Sequence, residues 1–364
     1  MTERSGGRVH QIRAAVLRHG GNLQIETLEM AGPRADEILV RVAASGICHT
    51  DIDFLDEWHG PPVVLGHEGA GVVEEVGKSV RAVKSGDHVV LSYQSCGHCR
   101  RCREGRPAHC EHFWEANFDF ARLDGSNALE RSGVRGHFFG QSSFATHTLA
   151  TERNLVKVYN DLPLELLAPL GCGFQTGAGT VLNSLNVSPG ASIAIFGTGA
   201  VGLAAVMAAR IVGAAPIIGV DLNPARLQLA RQLGATHIID SGKEDVASRL
   251  TAITGRGVDY VLEITGAPDM YQVAVEALNP QGIVALIAKP GRSTSFSQGR
   301  KALGIIEGDA VPQNFIPKLI DLYRAGQFPI DRLIKFYDFS DISRAINDAR
   351  RGTTIKPVLR LSNP

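Results

Sequence analysis

The sequence has no excess charge of either sign and no long apolar run, and these absences exclude several classes of protein. Among its 364 residues, Lys and Arg number 37 and Asp and Glu number 37, so the formal net charge is zero. A neutral chain has no electrostatic footprint for nucleic acid or for an anionic membrane. No stretch reaches the roughly 18 consecutive apolar residues of a transmembrane helix. We therefore expect neither nucleic acid nor a membrane as a partner.

The N-terminus also lacks the apolar segment of a secretion signal, since residues 1–18 read MTERSGGRVHQIRAAVLR. Without such a signal we expect a reducing, cytoplasmic location. Clustered cysteines in that environment are more often metal ligands than disulfides. Hydrophobic residues make up 44% of the chain, which argues against disorder. The length predicts about two domains.

The two halves of the chain differ in their apolar pattern. Residues 12–95 read as short alternating segments between glycines, which predict an antiparallel, partly closed sheet. From Leu164 onward, apolar runs alternate with helical patterns, as in ASIAIFG, AVGLAAVMAARIVG, PIIGVD and PARLQLARQLG. This alternation predicts a parallel, doubly wound α/β sheet. Helical patterns over 312–350 and a last strand, KPVLRL, close the chain.

A glycine-rich turn, GTGAVG, follows the predicted strand Ile193–Phe196 and opens a helix. In this context G-x-G-x-x-G predicts a dinucleotide site, with the pyrophosphate at the helix N-terminus. The glycines allow a tight turn, close approach of the backbone to the pyrophosphate, and close packing of helix on strand. The predicted contacts of this loop are Gly197, Gly199, Ala200 and Gly202.

The next predicted strand, IIGVD, ends in Asp221, 19 residues past Gly202. A carboxylate there accepts hydrogen bonds from ribose hydroxyls and repels a 2′-phosphate. No arginine follows until Arg226, so we predict NAD rather than NADP. The alternative is a glycine-rich turn with a surface aspartate in a fold that binds another ligand.

Four of the six cysteines fall within CGHCRRCREGRPAHC, at a spacing of C-x2-C-x2-C-x7-C. Four thiolates at this spacing can surround one Zn²⁺ tetrahedrally and leave no open position, which is typical of a structural site. The alternatives are an iron–sulfur site or reduced thiols, although nothing else in the sequence indicates electron transfer. The predicted ligands are Cys96, Cys99, Cys102 and Cys110.

The two remaining cysteines, Cys48 and Cys172, flank the segment GHEGAG, which contains His67. Two thiolates and one imidazole leave a fourth zinc position for water or substrate, which is typical of a catalytic site. Taken alone, His67 would more often be a structural histidine. Together with both cysteines and a dinucleotide site, it favours a ligand.

These motifs resemble the zinc-dependent medium-chain alcohol dehydrogenases over nearly the whole chain. GHEGAGVVEEVGKSV carries the family's zinc signature, and GDHVV, the four-cysteine segment, GCGFQTGAG and GTGAVG follow in family order. The signature positions are Gly66, His67, Glu68, Gly71, Gly77 and Val80. The resemblance implies a GroES-like, mainly β catalytic domain over 1–173 and 307–364, with a Rossmann NAD-binding domain over 174–306.

Within the family, CHTD, FFGQSSFATH and GCGFQTGAGTVLNSL look similar to benzyl (aryl) alcohol dehydrogenases. The resemblance implies reversible, NAD-dependent oxidation of benzyl-type alcohols to aldehydes. Relatives that act on allylic terpene alcohols such as geraniol and perillyl alcohol are the alternative, with the same mechanism. A formaldehyde-handling relative is less favoured, because nothing identifies a site for a thiol adduct. A non-catalytic zinc protein is the alternative from another class, but the intact catalytic ligand set argues against it.

The resemblance also implies roles for single residues. Cys48, His67 and Cys172 would bind a catalytic zinc, so that each subunit holds two zinc ions, one catalytic and one structural. Glu68 would sit behind the metal and transiently replace its water. Asp51 would hydrogen-bond His67 and fix its ligating tautomer.

A proton relay is implied from Thr50, which would take the substrate hydroxyl proton and pass it towards the nicotinamide ribose. In animal relatives the relay ends at a histidine three residues further along, but here that position is Asp53. The last step of the relay would use Asp53 as a carboxylate base, or the proton would leave through water or His49. From the residues alone, Asp51 and Asp53 could also cap a turn or a helix.

The resemblance further places His49 and Lys356 near the pyrophosphate, and Thr176 and Val201 near the nicotinamide. Four aromatic residues fall where the family lines its substrate cleft, although ordinary core packing is the alternative for each. They are Trp58, Tyr93, Phe113 and Phe118.

A predicted strand at Leu303–Gly308 (LGIIEG) ends the dinucleotide sheet. In the family, such a strand continues the sheet into a partner subunit, and an unpaired apolar edge is a liability. We therefore expect a homodimer or a homotetramer.

Overall fold

The computed structural model describes residues 9–287 and 297–361. The strands are β1 (Val9–Arg18), β2 (Asn22–Ala31), β3 (Glu37–Gly46), β4 (Val63–Val64), β5 (Glu68–Val76), β6 (His88–Leu91), β7 (His147–Thr151), β8 (Leu155–Val158), β9 (Ile193–Phe196), β10 (Ile217–Asp221), β11 (His237–Asp240), β12 (Val258–Glu263), β13 (Leu278–Leu286), β14 (Lys301–Gly304), β15 (Ile334–Asp338) and β16 (Lys356–Arg360). The α-helices are α1 (His49–Glu57), α2 (Arg100–Arg103), α3 (Phe113–Phe118), α4 (Leu164–Leu167), α5 (Gly173–Gly179), α6 (Ala200–Ile211), α7 (Pro224–Leu233), α8 (Val246–Thr254), α9 (Pro268–Glu276), α10 (Pro312–Arg324) and α11 (Ile342–Arg350).

Short turns of other helix types connect these elements. A π-helical turn, Thr180–Ser184, follows α5. The 3₁₀ turns are Pro107–His109, Glu130–Ser132, Phe138–Gly140, Ala168–Gly171, Glu307–Asp309, Ile330–Leu333 and Phe339–Asp341. In residues 9–287 and 297–361, none of the helices is both long enough and apolar enough to span a bilayer.

The chain divides into two compact units. The first comprises the described residues up to Cys172, Val311–Ile320 and those from Asp331 onward, and the second comprises Gly173–Ala310 and Asp321–Ile330. The boundaries predicted from the sequence, 1–173 with 307–364 and 174–306, therefore need correction, since 173, 307–310 and 321–330 belong with the second unit. The turn Glu307–Asp309 belongs there because Gln175 Nε2 of α5 donates to Glu307 Oε2 at 2.9 Å.

The first unit is built on two largely antiparallel sheets, as the alternating segments predicted. One sheet has the order β2-β1-β4, and the other has the order β15-β16-β3-β5-β6-β8, with β7 also pairing with β3. Gly46 at the end of β3 lies opposite Glu68 at the start of β5 and opposite Val358 of β16. Antiparallel pairing therefore brings the end of β3 and the starts of β5 and β16 to one place.

The second unit contains a six-stranded parallel sheet in the order β11-β10-β9-β12-β13-β14. The predicted doubly wound sheet is confirmed, with a core of buried aliphatic side chains from β9, β10, β12 and β13. The chain order reverses between β10-β9 and β12, and ligands of such sheets bind at the carboxyl ends of the strands beside this point.

Strand β14 is the last strand of this sheet within the described residues. It ends at Gly304, earlier than the predicted strand Leu303–Gly308, because the chain then forms the 3₁₀ turn Glu307–Asp309. The edge position agrees with the sequence, whereas continuation of the sheet into a partner subunit stays a prediction.

Candidate metal centres and nucleotide site

Strand pairing in the first unit brings Cys48, His67 and Cys172 together. Cys48 follows β3 as the N-cap of α1, and His67 directly precedes β5. Cys172 follows the 3₁₀ turn Ala168–Gly171, whose last carbonyl accepts a hydrogen bond from Ser92 Oγ at 2.6 Å. One ligand atom from each of the three, together with a carboxylate oxygen of Glu68, lies within 4.8 Å of the others. The first three are the zinc ligands predicted from the sequence, and Glu68 was predicted to lie behind the metal.

The imidazole of His67 offers a direct test of whether a metal fits this place. The side chain is fully buried, and its Nε2 has no hydrogen-bond partner. Its Nδ1 donates to Asp51 Oδ1 at 3.1 Å, and a carboxylate can only accept, so the lone pair of neutral His67 is at Nε2. A buried, unpaired nitrogen costs about 1–3 kcal/mol. Zinc coordination by Nε2, with two thiolates beside it, would satisfy this atom, so the residues fit the metal.

The electrostatics of the site also favour a cation there. The side-chain hydrogen bond from Cys172 lowers the pKa of Cys48 well below its ordinary value. Burial alone would lower the pKa of His67, but the carboxylate of Asp51 and the sulfur of Cys48 outweigh it and raise that pKa well above its ordinary value. Positive charge is therefore stabilised between these groups.

Asp51 connects the metal site to the backbone around it. Its Oδ1 accepts from Gly66 N at 3.1 Å as well as from His67, and its Oδ2 accepts from Cys48 N at 2.9 Å. The last bond also completes the capping box of α1. The two roles considered for Asp51, capping and orientation of His67, are therefore both present.

Replacing Asp51 with asparagine should weaken zinc binding while leaving the side-chain size nearly unchanged. The variant loses the negative charge that fixes the ligating tautomer of His67, and such partners typically contribute 10–100-fold in metal affinity. Competition with a chromophoric chelator measures this change directly. The matched control is Asp56→Asn on the exposed side of the same helix, where Asp56 pairs with Arg350. Equal zinc affinity in the two variants would contradict the orienting role.

A buried ion pair lies behind the ligands. Lys356 Nζ donates to Glu68 Oε1 at 2.9 Å, to Glu68 Oε2 at 3.0 Å and to the carbonyl of Ile47 at 3.1 Å. Room for the carboxylate exists because Gly46 has no side chain, since a Cβ there would lie 2.0 Å from Glu68 Oε2. Burial raises the pKa of Glu68 above its ordinary value, despite the attraction of Lys356.

This position corrects the role predicted for Lys356 at the pyrophosphate. The side chain is only 2% exposed, and its three ammonium hydrogens are matched by three acceptor atoms. Burial alone would lower the pKa of Lys356, but Glu68 raises it, so the side chain stays charged. Lys356 therefore holds Glu68 and has no ammonium hydrogen left for a phosphate.

The predicted relay residues lie along α1. Thr50 Oγ1 is 3.9 Å from Cys48 Sγ, at the metal site. His49 and Asp53 lie one helical turn apart, with 3.4 Å between His49 Nε2 and Asp53 Oδ1, and both are largely exposed. The proximity of Thr50 to the ligands agrees with its predicted role. The approach of His49 to the pyrophosphate and the relay function of Asp53 stay predictions.

Aromatic rings surround one side of the metal site. The His67 ring stacks on Phe139 with centroids 4.4 Å apart, and the edge contact between Phe118 and Phe139 spans 5.1 Å. Phe54 stacks on Phe118 at 5.9 Å and contacts Trp58 at 6.0 Å. We call these rings the aromatic cluster, which consists of Phe54, Trp58, Phe118, Phe120, Phe138 and Phe139.

Two of the four predicted substrate residues, Trp58 and Phe118, belong to this cluster. Tyr93 and Phe113 lie beside the cluster, since they contact each other at 5.7 Å and Phe113 contacts Phe118 at 6.5 Å, and their substrate role stays a prediction. Sequence reasoning did not assign a role to Phe54, Phe120, Phe138 or Phe139. The only available signal was the FFGQSSF stretch, which carried the resemblance to aryl alcohol dehydrogenases.

The four-cysteine lobe, residues 96–110, has the geometry of a closed metal site. The four sulfurs lie within 4.8 Å of one another, and Cys96–Cys102 and Cys99–Cys110 are each 4.0 Å apart. Tetrahedral zinc with bonds of about 2.3 Å requires sulfurs about 3.8 Å apart. Backbone N–H groups also point at the sulfurs, for example Cys99 N to Cys96 Sγ at 3.3 Å. Such bonds stabilise thiolates, so the predicted structural zinc fits.

The glycine loop of the second unit joins β9 to α6. Gly197 has a φ of +94°, and Gly199 is the N-cap of α6. A Cβ at Gly202 would lie 1.9 Å from the carbonyl oxygen of Gly197, so only glycine allows this close packing. The loop therefore has the conformation that the dinucleotide pattern predicted, with free N–H groups of a helix N-terminus beside it.

Asp221 ends β10 beside this loop. Its Oδ2 accepts from Thr198 N at 2.7 Å and from Thr198 Oγ1 at 3.0 Å, and its Oδ1 accepts from Asn223 N at 2.9 Å. A carboxylate offers about four acceptor sites, so capacity remains for a ribose hydroxyl. Asp221 thus also fixes the loop, a role that sequence reasoning did not foresee.

The two residues predicted near the nicotinamide are Thr176 on α5 and Val201 on α6. The two helices pack closely, because Gly177 of α5 has no side chain and a Cβ there would lie 2.0 Å from Val201 O.

Comparison with known proteins relates both units to one family. The alcohol dehydrogenase GroES-like domain family matches residues 34–160, and the zinc-binding dehydrogenase family matches residues 200–321. A geraniol dehydrogenase of Castellaniella defragrans is 47% identical over 361 residues, which cover 95% of this chain and 97% of that protein.

Two solved structures are also similar over the whole chain. The crystal structure of benzyl alcohol dehydrogenase from Acinetobacter calcoaceticus is 45% identical, has a TM-score of 0.93, and matches 97% of this chain and 100% of that one. An alcohol dehydrogenase zinc-binding domain protein from Burkholderia ambifaria is 49% identical, also with a TM-score of 0.93, and matches 98% and 100%.

Proposed function

Because this chain belongs to the zinc-dependent medium-chain alcohol dehydrogenases, we propose that it oxidises primary alcohols whose carbinol carbon adjoins an unsaturated carbon. Benzyl-type alcohols are the leading class, and the products are aldehydes. The family in general uses zinc and NAD(H). We extend this to one catalytic and one structural zinc ion per subunit, with NAD as the hydride acceptor.

The observation that carries the aromatic assignment is the aromatic cluster beside His67. Phe139 stacks on the His67 ring, and further ring contacts lead from Phe139 to Phe118, Phe54 and Trp58. Flat, conjugated substrates gain offset and edge contacts of about 0.5–1.5 kcal/mol per ring from such surroundings. The similarity to a benzyl alcohol dehydrogenase supports the same class.

Allylic terpene alcohols are the second candidate. The observation in their favour is the 47% identity to a geraniol dehydrogenase over 95% of the chain. An allylic alcohol is also conjugated after oxidation, and the mechanism is unchanged. The two candidates therefore differ only in the shape of the alcohol that has to fit against the aromatic cluster.

The reaction uses residues of the metal site in distinct roles. Zinc held by Cys48, His67 and Cys172 supplies a Lewis acid that lowers the pKa of a bound hydroxyl group. The two thiolates balance the charge of the dication, while Asp51 accepts from His67 Nδ1 and so leaves Nε2 as the ligating nitrogen. Thr50 accepts the hydroxyl proton and passes it on, and His49 and Asp53 offer its exit along α1. Bound NAD, which the Gly197–Gly202 loop and Asp221 would hold, would accept the hydride from the carbinol carbon.

Coenzyme choice follows from Asp221. The carboxylate keeps acceptor capacity for ribose hydroxyls and carries a negative charge that repels a 2′-phosphate. We therefore infer that the enzyme prefers NAD over NADP.

The substrate class is tested by comparing matched pairs of alcohols with zinc-replete enzyme, following absorbance of the reduced nicotinamide. Benzyl alcohol is paired with cyclohexylmethanol, and geraniol with its fully saturated analogue, each with NAD and with NADP. We expect kcat/KM to be at least about tenfold higher for each unsaturated member, which corresponds to about 1.4 kcal/mol. NADP should support a lower rate, and a zinc chelator should abolish turnover.

Three other outcomes are informative. A higher kcat/KM for geraniol than for benzyl alcohol would move the leading substrate to the allylic class and keep the mechanism. Equal turnover of saturated and unsaturated partners would contradict the proposed class. If protein that contains two zinc ions reduced NAD with none of these alcohols, the result would contradict the proposed dehydrogenase activity.

A further inference from the structure

A third group of metal-binding side chains lies on the outer side of the four-cysteine lobe. One ring nitrogen of His98, one of His112 and the sulfur of Cys96 lie within 4.8 Å of one another. Both imidazoles are exposed, and their ring centroids are 5.9 Å apart. We propose that these three residues form an accessory zinc site, which shares the Cys96 thiolate with the four-cysteine site.

The chemistry of the three donors is that of zinc. Two imidazoles and one thiolate leave a fourth position to water, and Zn²⁺ binds both donor types tetrahedrally. A thiolate has lone pairs for two metals, so Cys96 can bridge the accessory ion and the ion held by the four cysteines. We expect the accessory ion to bind more weakly and to exchange faster than the ion held by the four cysteines, because its thiolate is shared and its other ligands are exposed.

The local backbone holds the ligands in place. Nδ1 of His98 lies 2.9 Å from the carbonyl oxygen of Cys96, and Arg103 Nε donates to the carbonyl of His98 at 2.7 Å. The backbone of His112 is anchored to the lobe, because its N–H donates to Cys110 Sγ at 3.4 Å. The turn that arranges the four sulfurs therefore also places the backbones of His98 and His112 so that their imidazoles can approach each other.

The charges around the group permit a second cation. Zinc with four thiolates carries a formal charge of −2, which attracts cations. The two histidines line a surface hollow of about 510 Å³, which gives a hydrated metal ion access. Two arginines line the same hollow. Arg100 pairs with Glu104 at 2.7 Å. Arg103, in contrast, donates to the carbonyl of His98 at 2.7 Å, and its charge opposes an added cation.

An exposed pair of histidines elsewhere provides a matched comparison. His19 and His59 also have ring centroids 5.9 Å apart, but the clusters of metal-ligating side chains found in residues 9–287 and 297–361 do not include them. The pair reproduces the two imidazoles of the lobe without the thiolate. The variant H19N/H59N removes this pair. A difference in metal content between it and the wild type therefore measures the metal that an exposed histidine pair binds without a thiolate.

The test adds Co²⁺ as a spectroscopic probe to enzyme that holds two zinc ions per chain, with the accessory site empty, and compares the wild type with H98N/H112N and H19N/H59N. After removal of free metal, elemental analysis counts both metals, and absorbance reports the thiolate-to-cobalt charge-transfer band. We expect one additional cobalt ion per chain, with that band and with unchanged zinc content, in the wild type and in H19N/H59N. The variant H98N/H112N should bind none, while its dehydrogenase activity stays within about twofold of wild type.

Several results would overturn the proposal. They are no additional cobalt in the wild type, equal cobalt binding in H98N/H112N, cobalt without the charge-transfer band, or cobalt that appears only as zinc is lost. Because metal content and absorbance are read separately from turnover, the outcome does not depend on the proposed substrate. Thermal unfolding of H98N/H112N close to that of wild type shows that the lobe itself is intact.

Discussion

Replacing Cys48 with alanine is expected to lower kcat/KM for benzyl alcohol at least about 10³-fold. Zinc can lower the pKa of bound water from about 15.7 to about 7, which corresponds to about 12 kcal/mol of stabilisation of the deprotonated group. Losing only a third of this, about 4 kcal/mol, gives a decrease of about 10³-fold. Alanine removes one of the three protein ligands and leaves His67 Nε2 again without a partner in a buried site.

The measurement combines steady-state kinetics with zinc analysis. Cys48→Ala should contain one zinc ion per chain, held by the four-cysteine lobe, where wild type contains two. Cys102→Ala is the matched comparison, because it removes a thiolate from the lobe and also leaves one zinc ion. It should retain turnover within about tenfold at a temperature where it stays folded. A Cys48→Ala variant that has one zinc ion and more than a tenth of wild-type activity would contradict the assignment of the catalytic site.

Replacing Lys356 with methionine is expected to destabilise the folded protein by about 3–5 kcal/mol. The substitution keeps much of the side-chain volume but leaves the Glu68 carboxylate, which is fully buried, without its cation. Uncompensated buried charge carries this large cost, whereas the intact pair contributes little net stability. For a unit of this size, the loss corresponds to a decrease in Tm on the order of 10 °C.

The chain offers a close control for this prediction. Lys335 pairs with Asp348 at 3.1 Å, but its side chain is 56% exposed, so Lys335→Met should cost less than about 1 kcal/mol. The double variant E68Q/K356M should recover part of the loss, because it removes the charge that Lys356→Met leaves unpaired. Calorimetry or chemical denaturation of the zinc-replete wild type and the three variants measures these differences in unfolding free energy. A loss in Lys356→Met no larger than that in Lys335→Met would show that Glu68 is not stabilised through this pair.

The prediction of Lys356 at the pyrophosphate shows where sequence reasoning was limited. Glu68 and Lys356 are 288 residues apart, and the pattern around KPVLRL indicates a strand without indicating its neighbours. Only the pairing of β16 with β3, and of β3 with β5, places the lysine against Glu68. A charged residue at a strand start is usually exposed, so its burial could not be inferred locally.

The side chains of the aromatic cluster likewise could not all be identified from the sequence pattern. Trp58 and Phe118, predicted from their region of the chain, belong to the cluster, whereas Tyr93 and Phe113 from comparable regions lie beside it. Phe139, which contacts His67 most closely, lies in a short 3₁₀ turn with a φ of +53°. No periodicity predicts which ring of such a turn faces a ligand.

The sequence by itself determined the chemistry that lies in short segments. The four-cysteine spacing and the strand-loop-helix pattern of GTGAVG each form a site within a few turns of chain, so residue type and spacing nearly fix their geometry. Tertiary structure alone decided the partner of Lys356, the double role of Asp221 and the composition of the aromatic cluster. The physical reason is that burial and contact between distant segments depend on which strands pair and how loops pack on them, and that information is spread over the whole chain.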